Sequence, residues 1–381
     1  MKQVYFDNAA TTAIREEVIN SMMTVAANNY GNPSSTHTFG RSSKALIERS
    51  RKTIAKYLNV SSGEIVFTSG GTEADNIALQ CSVFHLGISH IITSKIEHHA
   101  VLHTVEALEK SQNIKISYVN VNADGSIDYN HLEELLQNNV KTLVSLMLVN
   151  NEIGNILDVK KVGNLCKVNN ALFHCDAVQY IGHYNLDLSE INIDFLASSA
   201  HKFHGPKGVG FMYIRKNSGL KPLILGGEQE RGLRAGTEAV HNIVGMETAI
   251  NLAYDNLQEE KKYISSLKSY FINELKKSIP GVKFNGLSGQ SEYSTYTLVN
   301  VCLPFTSEQG QVLLFQLDLK GIACSKGSAC QSGSLKGSHV LSEILSDDDM
   351  QKPSIRFSFS IYNTKEEIDY VINTLNTFNT D

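Results

Sequence analysis

Strand-sized apolar runs alternate with amphipathic helical patterns over the first 255 residues of this 381-residue chain. Segment 41–58, for example, has apolar residues at three- and four-residue steps, which predicts a helix. The run TLVSLMLV at 142–149 is apolar almost throughout, which is typical of a strand buried on both faces. Strands are predicted at 64–68, 90–93, 114–119, 142–148, 171–175, 193–197 and 209–214, and further helices at 72–84, 98–110 and 158–168. This alternation predicts an α/β fold in which helices cover both faces of a mostly parallel sheet.

The pattern changes after about residue 255, where a long charged helix is predicted at 257–277. Strands follow at 282–284, 296–303 and 355–359, and helices at 308–319 and 365–378. A chain of this length favours two domains, and this part is expected to form a smaller α+β domain. Within it, the composition of SKGSACQSGSLKGS (325–338) predicts a mobile loop.

Charge and composition argue against several classes of protein. Lys and Arg total 34 and Asp and Glu total 39, so the net charge is −5, whereas general nucleic-acid binding needs a basic face. No apolar run approaches the roughly 18 residues of a membrane-spanning helix, and the N-terminal MKQVYFDNAATT lacks the apolar stretch of a signal peptide. We therefore expect a cytoplasmic protein that binds neither nucleic acid nor membrane.

The cysteine pattern gives no sign of a metal centre. Six cysteines, at positions 81, 166, 175, 302, 324 and 330, include no C-x-x-C pair, which argues against a zinc site of the usual spacing. Free thiols in a reducing compartment are the simplest interpretation. His99 and His103 are four residues apart and could share a metal, but no third ligand is evident, so we expect none.

Lys202 and Asp176 each follow a predicted strand, at the sheet edge where α/β proteins bind ligands. A partly desolvated Lys202 would have a lowered pKa and could act as an amine nucleophile or base; otherwise it is a solvated loop lysine. Asp176 either caps a helix or holds a cation such as a protonated pyridine nitrogen. Gln179 would complete a capping box or point at the same ligand.

Segment 68–73 (TSGGTE) joins a predicted strand to a predicted helix. It is either a tight turn or a phosphate site, because glycines permit close approach and a helix N-terminus offers N–H groups to an anion. His98 opens the helix predicted at 98–110, at a position from which an imidazole could stack on a planar ring or shuttle protons.

Cys330 and Arg356 complete the candidates. Cys330 lies in the Ser/Gly-rich loop and is either an incidental cysteine or a nucleophile that the loop carries to its target. Arg356, in an apolar strand, needs an anion, which is either a substrate carboxylate or a neighbouring aspartate. A lysine, an aspartate, a phosphate turn, a stacking histidine and a carboxylate-binding arginine together are what a pyridoxal-phosphate enzyme needs to act on an amino acid.

Over nearly its whole length the sequence resembles the cysteine desulfurases of the NifS/IscS type, class V members of the fold-type I pyridoxal-phosphate enzymes. The resemblance is carried by YFDNAATT from Tyr5, YGNPSSTHTFGR from Tyr30, FTSGGTEADN from Phe67, SKIEHHAVL from Ser94, VNNEIG from Val149, HCDAVQ from His174, SSAHKFHGPKGVG from Ser198, GGEQERGLRAGTE from Gly226, GSAC from Gly327 and SIRFSFS from Ser354. It implies a large cofactor-binding domain at 14–255. It also implies a small domain, formed by 1–13 and 256–381, that carries the catalytic-cysteine loop at about 323–338.

The resemblance also implies roles for the matching residues. Lys202 would bind pyridoxal 5′-phosphate covalently and move the α-proton of L-cysteine, while Cys330 would attack the substrate sulfur and become a persulfide. His98 would stack on the cofactor ring and help proton transfer, and Asp176 would pair with the ring nitrogen. The other implied assignments are Gln179 and Asn151 near the ring hydroxyl; Gly71, Thr72, Ser199 and His201 at the phosphate; Thr237 at the phosphate of a neighbouring subunit; and Asn32 and Arg356 at the substrate carboxylate. The enzyme would be a homodimer that passes sulfur to an acceptor or iron–sulfur scaffold protein.

Several alternatives stay open. Cys324 could accept the persulfide or be a buried filler. Lys326, where the family more often has a small residue, could lower the pKa of Cys330, recruit an acidic partner or be a solvated lysine. The chain ends at Asp381, soon after the last predicted helix, so scaffold docking through a long tail is not expected. The alternative functions are a selenocysteine lyase, another class V aminotransferase and a non-catalytic sulfur carrier. Lys202 argues against the sulfur carrier.

Overall fold

The computed structural model describes residues 2–138, 140–326 and 337–378. The strands in these ranges are β1 (Val4–Tyr5), β2 (Ile65–Thr68), β3 (His90–Thr93), β4 (Lys115–Tyr118), β5 (Thr142–Ser145), β6 (Leu172–Asp176), β7 (Phe195–Ser199), β8 (Gly210–Ile214), β9 (Lys283–Phe284), β10 (Leu298–Cys302), β11 (Ile322–Ala323) and β12 (Ser354–Ser358). The α-helices are α1 (Glu16–Asn28), α2 (Thr38–Tyr57), α3 (Gly71–Leu86), α4 (His99–Gln112), α5 (Tyr129–Leu136), α6 (Val159–Val168), α7 (Val240–Asp255), α8 (Leu257–Ser278), α9 (Ser307–Leu319), α10 (His339–Ile344), α11 (Asp347–Met350) and α12 (Lys365–Thr377).

A seven-stranded sheet in the order β2-β8-β7-β6-β5-β3-β4 forms the centre of the fold. β4, β3, β5, β6 and β7 are parallel, whereas β8 is antiparallel to both β7 and β2. β8 is reversed because the short connection 200–209 joins it to β7, and a parallel neighbour would need a longer crossover. The predicted α/β class with a mostly parallel sheet is confirmed, and only β8 of the seven strands runs against the others.

Successive residues of the central strands face different hydrophobic clusters. Phe67 and Val144 belong to one cluster, whereas their neighbours Val66 and Leu143 belong to another. Because side chains alternate across a strand, these two clusters lie on opposite faces of the sheet. The sheet is therefore buried on both sides, as its continuous apolar strands predict.

The strand predicted at 142–148 is shorter than expected, since β5 ends at Ser145. The chain turns a few residues later because the Asn150 side chain accepts hydrogen bonds from the backbone N–H groups of Glu152 and Ile153, at 2.9 and 3.0 Å. The apolar residues between β5 and this turn remain buried. The apolar pattern therefore identified these core residues correctly but overestimated the length of the hydrogen-bonded strand.

The predicted helices do not include α1, α5, α7, α10 or α11. For α7 the reason is burial, because it contacts both α1 and α2 and most of its residues are buried. A helix that is buried over most of its surface has a weaker polar stripe than an amphipathic surface helix. The period of 3.6 residues is therefore a weak signal in the α7 sequence.

A separate hydrophobic cluster joins the N-terminus to the C-terminal part of the chain. Val4 and Phe6 pack with residues that include Leu267, Phe271 and Phe357. β1 pairs with β11, and β10 lies between β12 and β9 in a second small sheet. This cluster supports a small domain built from both chain ends, although its boundaries at 1–13 and 256–381 stay predictions.

The structure can be compared with the expectations that the chain has no membrane-spanning helix and no metal site. None of the helices there is both long and apolar enough to cross a membrane. Cys81, Cys166, Cys175 and Cys302 are buried free thiols, and Cys324 is a partly buried one. In the same ranges no group of three His, Cys, Asp or Glu side chains could hold a metal ion. The expected absence of a metal site and of a nucleic-acid partner stays a prediction.

Lys268 on α8 gives a pH-dependence prediction for folding. It is 1% exposed, and its amine donates to Ser294 Oγ (2.9 Å) and the Thr295 carbonyl (2.7 Å). Burial lowers the pKa of Lys268 to about 7, whereas the pKa of an unfolded lysine is about 10.4. Between these values the unfolded chain binds more protons, so the Lys268 contribution to the free energy of unfolding must rise with pH, by at most about 1.4 kcal/mol per pH unit.

We therefore expect the free energy of unfolding to depend less steeply on pH in Lys268→Met than in the unsubstituted protein. Urea denaturation between about pH 7 and about pH 9 measures this slope. Lys262→Met, at an exposed position of the same helix, is the control and should keep the original slope. Equal slopes for all three proteins would contradict the prediction.

Candidate active site

A cavity of about 220 Å³ lies at the carboxyl edge of the central sheet. Its walls contain most of the predicted site residues, namely Gly71, Thr72, His98, Asn151, Asp176, Gln179, Ser199, His201, Lys202 and Arg356. Asp176 and Ser199 end β6 and β7, and Gly71 follows β2. The strands that run in one direction bring these residues to one edge, where α/β folds bind ligands.

Lys202 lies in a single 3₁₀ turn, Ala200–Lys202, directly after β7. Its Nζ donates to the carbonyl oxygens of Ala9 (2.6 Å) and Ala10 (2.8 Å), which also line the cavity. The Lys202 carbonyl in turn accepts a hydrogen bond from His183 Nε2 at 3.0 Å. The lysine is partly buried and held on both its backbone and its amine, so a solvated loop lysine does not describe it.

Two buried carboxylates, Asp176 and Asp75, line the same cavity. Burial raises the pKa of both carboxyl groups, and the charges of Asp176 and Glu97 raise that of Asp75 further. The backbone N–H of Val178 and the charge of Lys202 oppose the rise at Asp176. The predicted helix cap is wrong, because residues 177–184 form turns rather than an α-helix. A cation beside the Asp176 carboxylate would be stabilised by its charge.

His98 precedes α4 and caps it, because its Nδ1 accepts a hydrogen bond from the Ala100 backbone N–H at 3.1 Å. Burial, together with the nearby charge of Lys202, lowers the pKa of His98 to about 4. The imidazole is therefore neutral near pH 7 and carries its proton on Nε2. A neutral ring of this kind can stack on a planar ligand and exchange a proton through Nε2.

The turn between β2 and α3 has the features of an anion site. A Cβ on Gly71 would lie 2.5 Å from Val178 Cγ2, so only glycine fits there. The N-terminus of the 16-residue helix α3 begins at this glycine, and helix N-termini offer N–H groups to anions. Thr72, Ser199 and His201 add side-chain donors in the same wall. Burial lowers the pKa of His201 to about 4, which keeps this imidazole neutral near pH 7.

These groups fit pyridoxal 5′-phosphate in their chemistry. The α3 turn supplies donors for a phosphate, and the Asp176 carboxylate supplies negative charge for a protonated ring nitrogen. Lys202 supplies an amine for an aldehyde, and His98 supplies a ring that can stack. Gln179 lies in the wall as predicted, although its Nε2 donates to the Ala9 carbonyl at 2.9 Å.

Arg356 extends from β12 into the cavity wall and is almost completely buried. Its Nη1 donates to the Asn151 carbonyl (2.6 Å) and its Nη2 to Asp7 Oδ1 (2.9 Å). Its Nε has no hydrogen-bond partner in the described part of the chain. The sequence left a choice between an aspartate and a substrate carboxylate; the aspartate contact is present, and the substrate contact stays a prediction.

Three predicted site residues are not among the described cavity walls. Asn32 and Thr237 are exposed, and the Asn32 Oδ1 accepts a hydrogen bond from the Ser34 backbone N–H at 2.9 Å. Cys330 lies outside the described residues. The assigned roles of all three stay predictions.

The two departures from the family pattern, Cys324 and Lys326, have clear surroundings. Burial raises the pKa of Cys324 to about 12, and the charge of Asp7 adds to this rise. Its thiol is therefore protonated near pH 7, which favours the filler interpretation. Lys326 is exposed and its Nζ donates to the Gly310 carbonyl at 3.1 Å, so its role stays open.

Sequence reasoning missed three acidic residues of this region: Asp75, Glu97 and Asp7. Asp75 follows Gly71 by four residues in α3, so helical spacing places both on one face and could have identified it. Glu97 is buried, its Oε1 accepts from Met147 N (3.1 Å), and burial raises its pKa to about 8. Asp7 has no local signal, because its contact with Arg356 spans 349 positions.

Comparison with known proteins identifies the family of the chain. A family model described as aminotransferase class V matches residues 4–371. The cysteine desulfurase IscS of Clostridium botulinum (strain Kyoto / Type A2) is 44% identical over 376 residues, which cover 98% of this chain and 94% of that relative. The match therefore includes all the motifs from Tyr5 to the strand that holds Arg356.

Solved structures lead to the same family. A NifS-like protein has a TM-score of 0.90 at 37% identity, with 100% of both chains covered. SspA, solved in complex with cysteine, has a TM-score of 0.82 at 31% identity, with 95% of this chain and 100% of that chain covered. The chain therefore belongs to the class V aminotransferase family and, within it, to the cysteine desulfurases.

Proposed function

We propose that this protein removes the sulfur of L-cysteine with pyridoxal 5′-phosphate as cofactor, yields L-alanine and holds the sulfur as a persulfide on Cys330. The observation that carries the proposal is the single cavity lined by Lys202, Asp176, His98 and Arg356. An amine, a carboxylate, a neutral imidazole and a guanidinium in one wall match a reaction on an amino acid. The cysteine complex of the structurally similar SspA supports L-cysteine as that amino acid.

When bound, pyridoxal 5′-phosphate supplies a sink for the electron pair left at the α-carbon of an amino acid. Lys202 would hold the cofactor aldehyde and then carry the α-proton on its Nζ, because its partners Ala9 and Ala10 keep that amine in the wall. Asp176, whose carboxylate lies in the wall, would hold the protonated ring nitrogen. His98 would cover the ring and could exchange a proton through Nε2.

Arg356 would orient the substrate by its carboxylate. A guanidinium whose Nη atoms are held by Asp7 and Asn151 loses little conformational freedom on binding a ligand. With its carboxylate held in this way, the substrate would present its side chain in one fixed orientation relative to Lys202. Asn32 is proposed as a second carboxylate ligand.

Cys330 would complete the reaction as nucleophile. A bond forms between its sulfur and the substrate sulfur while the bond from Cβ to that sulfur breaks. The proton that the Cys330 thiol gives up is balanced by the proton that alanine gains at Cβ. The net change converts L-cysteine and the Cys330 thiol into L-alanine and a Cys330 persulfide. Two molecules of a thiol reductant would then release sulfide and become a disulfide.

Partners and location are also part of the proposal. Thr237 and Asn32 are exposed and lie outside the cavity of their own chain, which supports a homodimer in which Thr237 reaches the neighbouring phosphate. The persulfide would pass to an acceptor protein for iron–sulfur cluster or thio-cofactor assembly. A reducing compartment such as the cytoplasm would keep Cys330 in the thiol form that the reaction requires.

The decisive test measures L-alanine and sulfide formed from L-cysteine by the holoenzyme with dithiothreitol, and L-serine is the substrate control. Equal amounts of both products from L-cysteine are expected, with none from L-serine. Alanine from L-selenocysteine only would favour a selenocysteine lyase. Amino-group transfer to a 2-oxo acid without sulfide would favour an aminotransferase, and failure to bind the cofactor would favour a sulfur carrier.

A further inference from the structure

Glu152 is a buried carboxylate that the proposed reaction does not use. It is 0% exposed and lies in the turn between β5 and α6. Its backbone is fixed on both sides, because its N–H donates to Asn150 Oδ1 (2.9 Å) and its carbonyl accepts from Asn300 Nδ2 (3.0 Å). A carboxylate is costly to bury without partners, so the partners of its two oxygens indicate what it does.

Both oxygens of Glu152 lie close to the start of α10. Oε2 accepts a hydrogen bond from Ser338 Oγ at 2.5 Å. Oε1 lies 3.9 Å from His339 Nδ1, and neither of these two atoms has a hydrogen-bond partner in the described ranges. The other nitrogen of His339 donates to the Glu97 carbonyl at 2.9 Å, which fixes the ring.

Ser338 follows Cys330 by eight residues. Its contact with Glu152 therefore attaches the described chain just beyond segment 327–336 to a buried point of the large domain. Ser338 also caps α10, because its Oγ accepts from the Leu341 backbone N–H at 3.0 Å. One hydroxyl thus links the helix start to the carboxylate.

The other flank of segment 327–336 is attached to the active-site wall. The Ser325 carbonyl accepts from the Arg356 backbone N–H at 2.7 Å. The Arg356 guanidinium donates to the carbonyl of Asn151, the residue that precedes Glu152. Arg356 and the turn that carries Glu152 are therefore bonded to each other, and each holds one flank.

We propose that Glu152 is a positioning residue for sulfur transfer, which fixes the flank beyond Cys330 through Ser338 and His339. The inference rests on the proposed function. Glu152 and Ser338 are not among the residues that line the cavity, so their loss should leave binding of cofactor and L-cysteine unchanged. It should slow the step in which Cys330 meets the substrate sulfur.

The test compares Glu152→Met with Ser338→Ala in the holoenzyme. Met has a similar length, removes the carboxylate and leaves the Ser338 cap of α10 in place. We expect each variant to lower kcat for alanine formation about tenfold, with KM for L-cysteine and the visible cofactor absorbance unchanged. The double variant should lose no more than either single variant, because both act through one contact.

Two further substitutions separate this role from helix capping. Ser338→Thr keeps the hydroxyl and should restore kcat, while Ser346→Ala removes the matching cap of α11, where Ser346 Oγ accepts from Asp349 N, and should not change kcat. A normal kcat in Glu152→Met would overturn the proposal, because a capping role alone predicts a loss only in Ser338→Ala.

A second readout does not depend on activity. The rate at which Cys330 reacts with iodoacetamide, followed by peptide mass spectrometry, should change at least about threefold in Glu152→Met and Ser338→Ala but not in Ser346→Ala. If the unsubstituted enzyme forms no alanine, the proposed function fails, and this labelling still decides whether Glu152 controls the Cys330 flank. Identical labelling rates in all four proteins would overturn the proposal.

Discussion

A Lys202→Ala variant will lose the visible absorbance of the bound cofactor and more than about a thousandfold of its rate of alanine formation. The reason is that this amine has two proposed roles, since it holds the cofactor aldehyde and carries the α-proton. No other lysine lines the described cavity walls. Absorbance of the purified holoenzyme and alanine formed from L-cysteine measure the two roles separately.

The matched control for this prediction is Lys207→Ala. Lys207 is exposed in the same connection between β7 and β8 and is not part of the cavity wall. It should keep both absorbance and rate. A Lys202→Ala enzyme that stays coloured, or that retains more than about a tenth of the rate, would show that the lysine assignment is wrong.

Replacing Cys330 by alanine should lower the rates of sulfide and persulfide formation by more than about a thousandfold. The cofactor absorbance should stay intact. The proposed nucleophile is lost, but the groups of the cavity wall are unchanged. The absorbance should still respond when L-cysteine is added, because binding depends on Lys202 and Arg356. Sulfide release and intact-protein mass after a single turnover measure the loss.

Cys324→Ala is the control for the nucleophile. Burial raises the pKa of Cys324 to about 12, so hardly any of its thiol is ionised near pH 7 and the variant should keep its rate. A persulfide found on Cys324, or sulfide release that survives Cys330→Ala, would contradict the assignment of Cys330.

The seven strands of the central sheet and several of the helices, among them α2, α8 and α12, could be predicted from the sequence because local periodicity carries that information. The positions of Lys202, Asp176 and Ser199 were also predictable, since all three lie at or just after the end of a strand and parallel strands place their carboxyl ends at one edge. Gly71 was predictable for a related reason, because a glycine-rich turn before a helix is a local signal.

Other parts of the site have no local signal. The pairing of Arg356 with Asp7, the approach of Asp75 to Asp176 and the contact of Glu152 with Ser338 each join segments that are far apart in the chain. Which side chains meet there depends on how the small sheet, α3 and the turn after β5 pack against one another. Helix α7 was missed because most of its residues are buried, which weakens the periodic pattern.

The sequence by itself therefore determined the fold class, the strand-end positions of the central site residues and, through its motifs, the family. Only the tertiary structure decided the charge partners of those residues, because burial and close contact between distant segments set which carboxylates pair, which imidazoles stay neutral and where the flanks of the Cys330 segment attach.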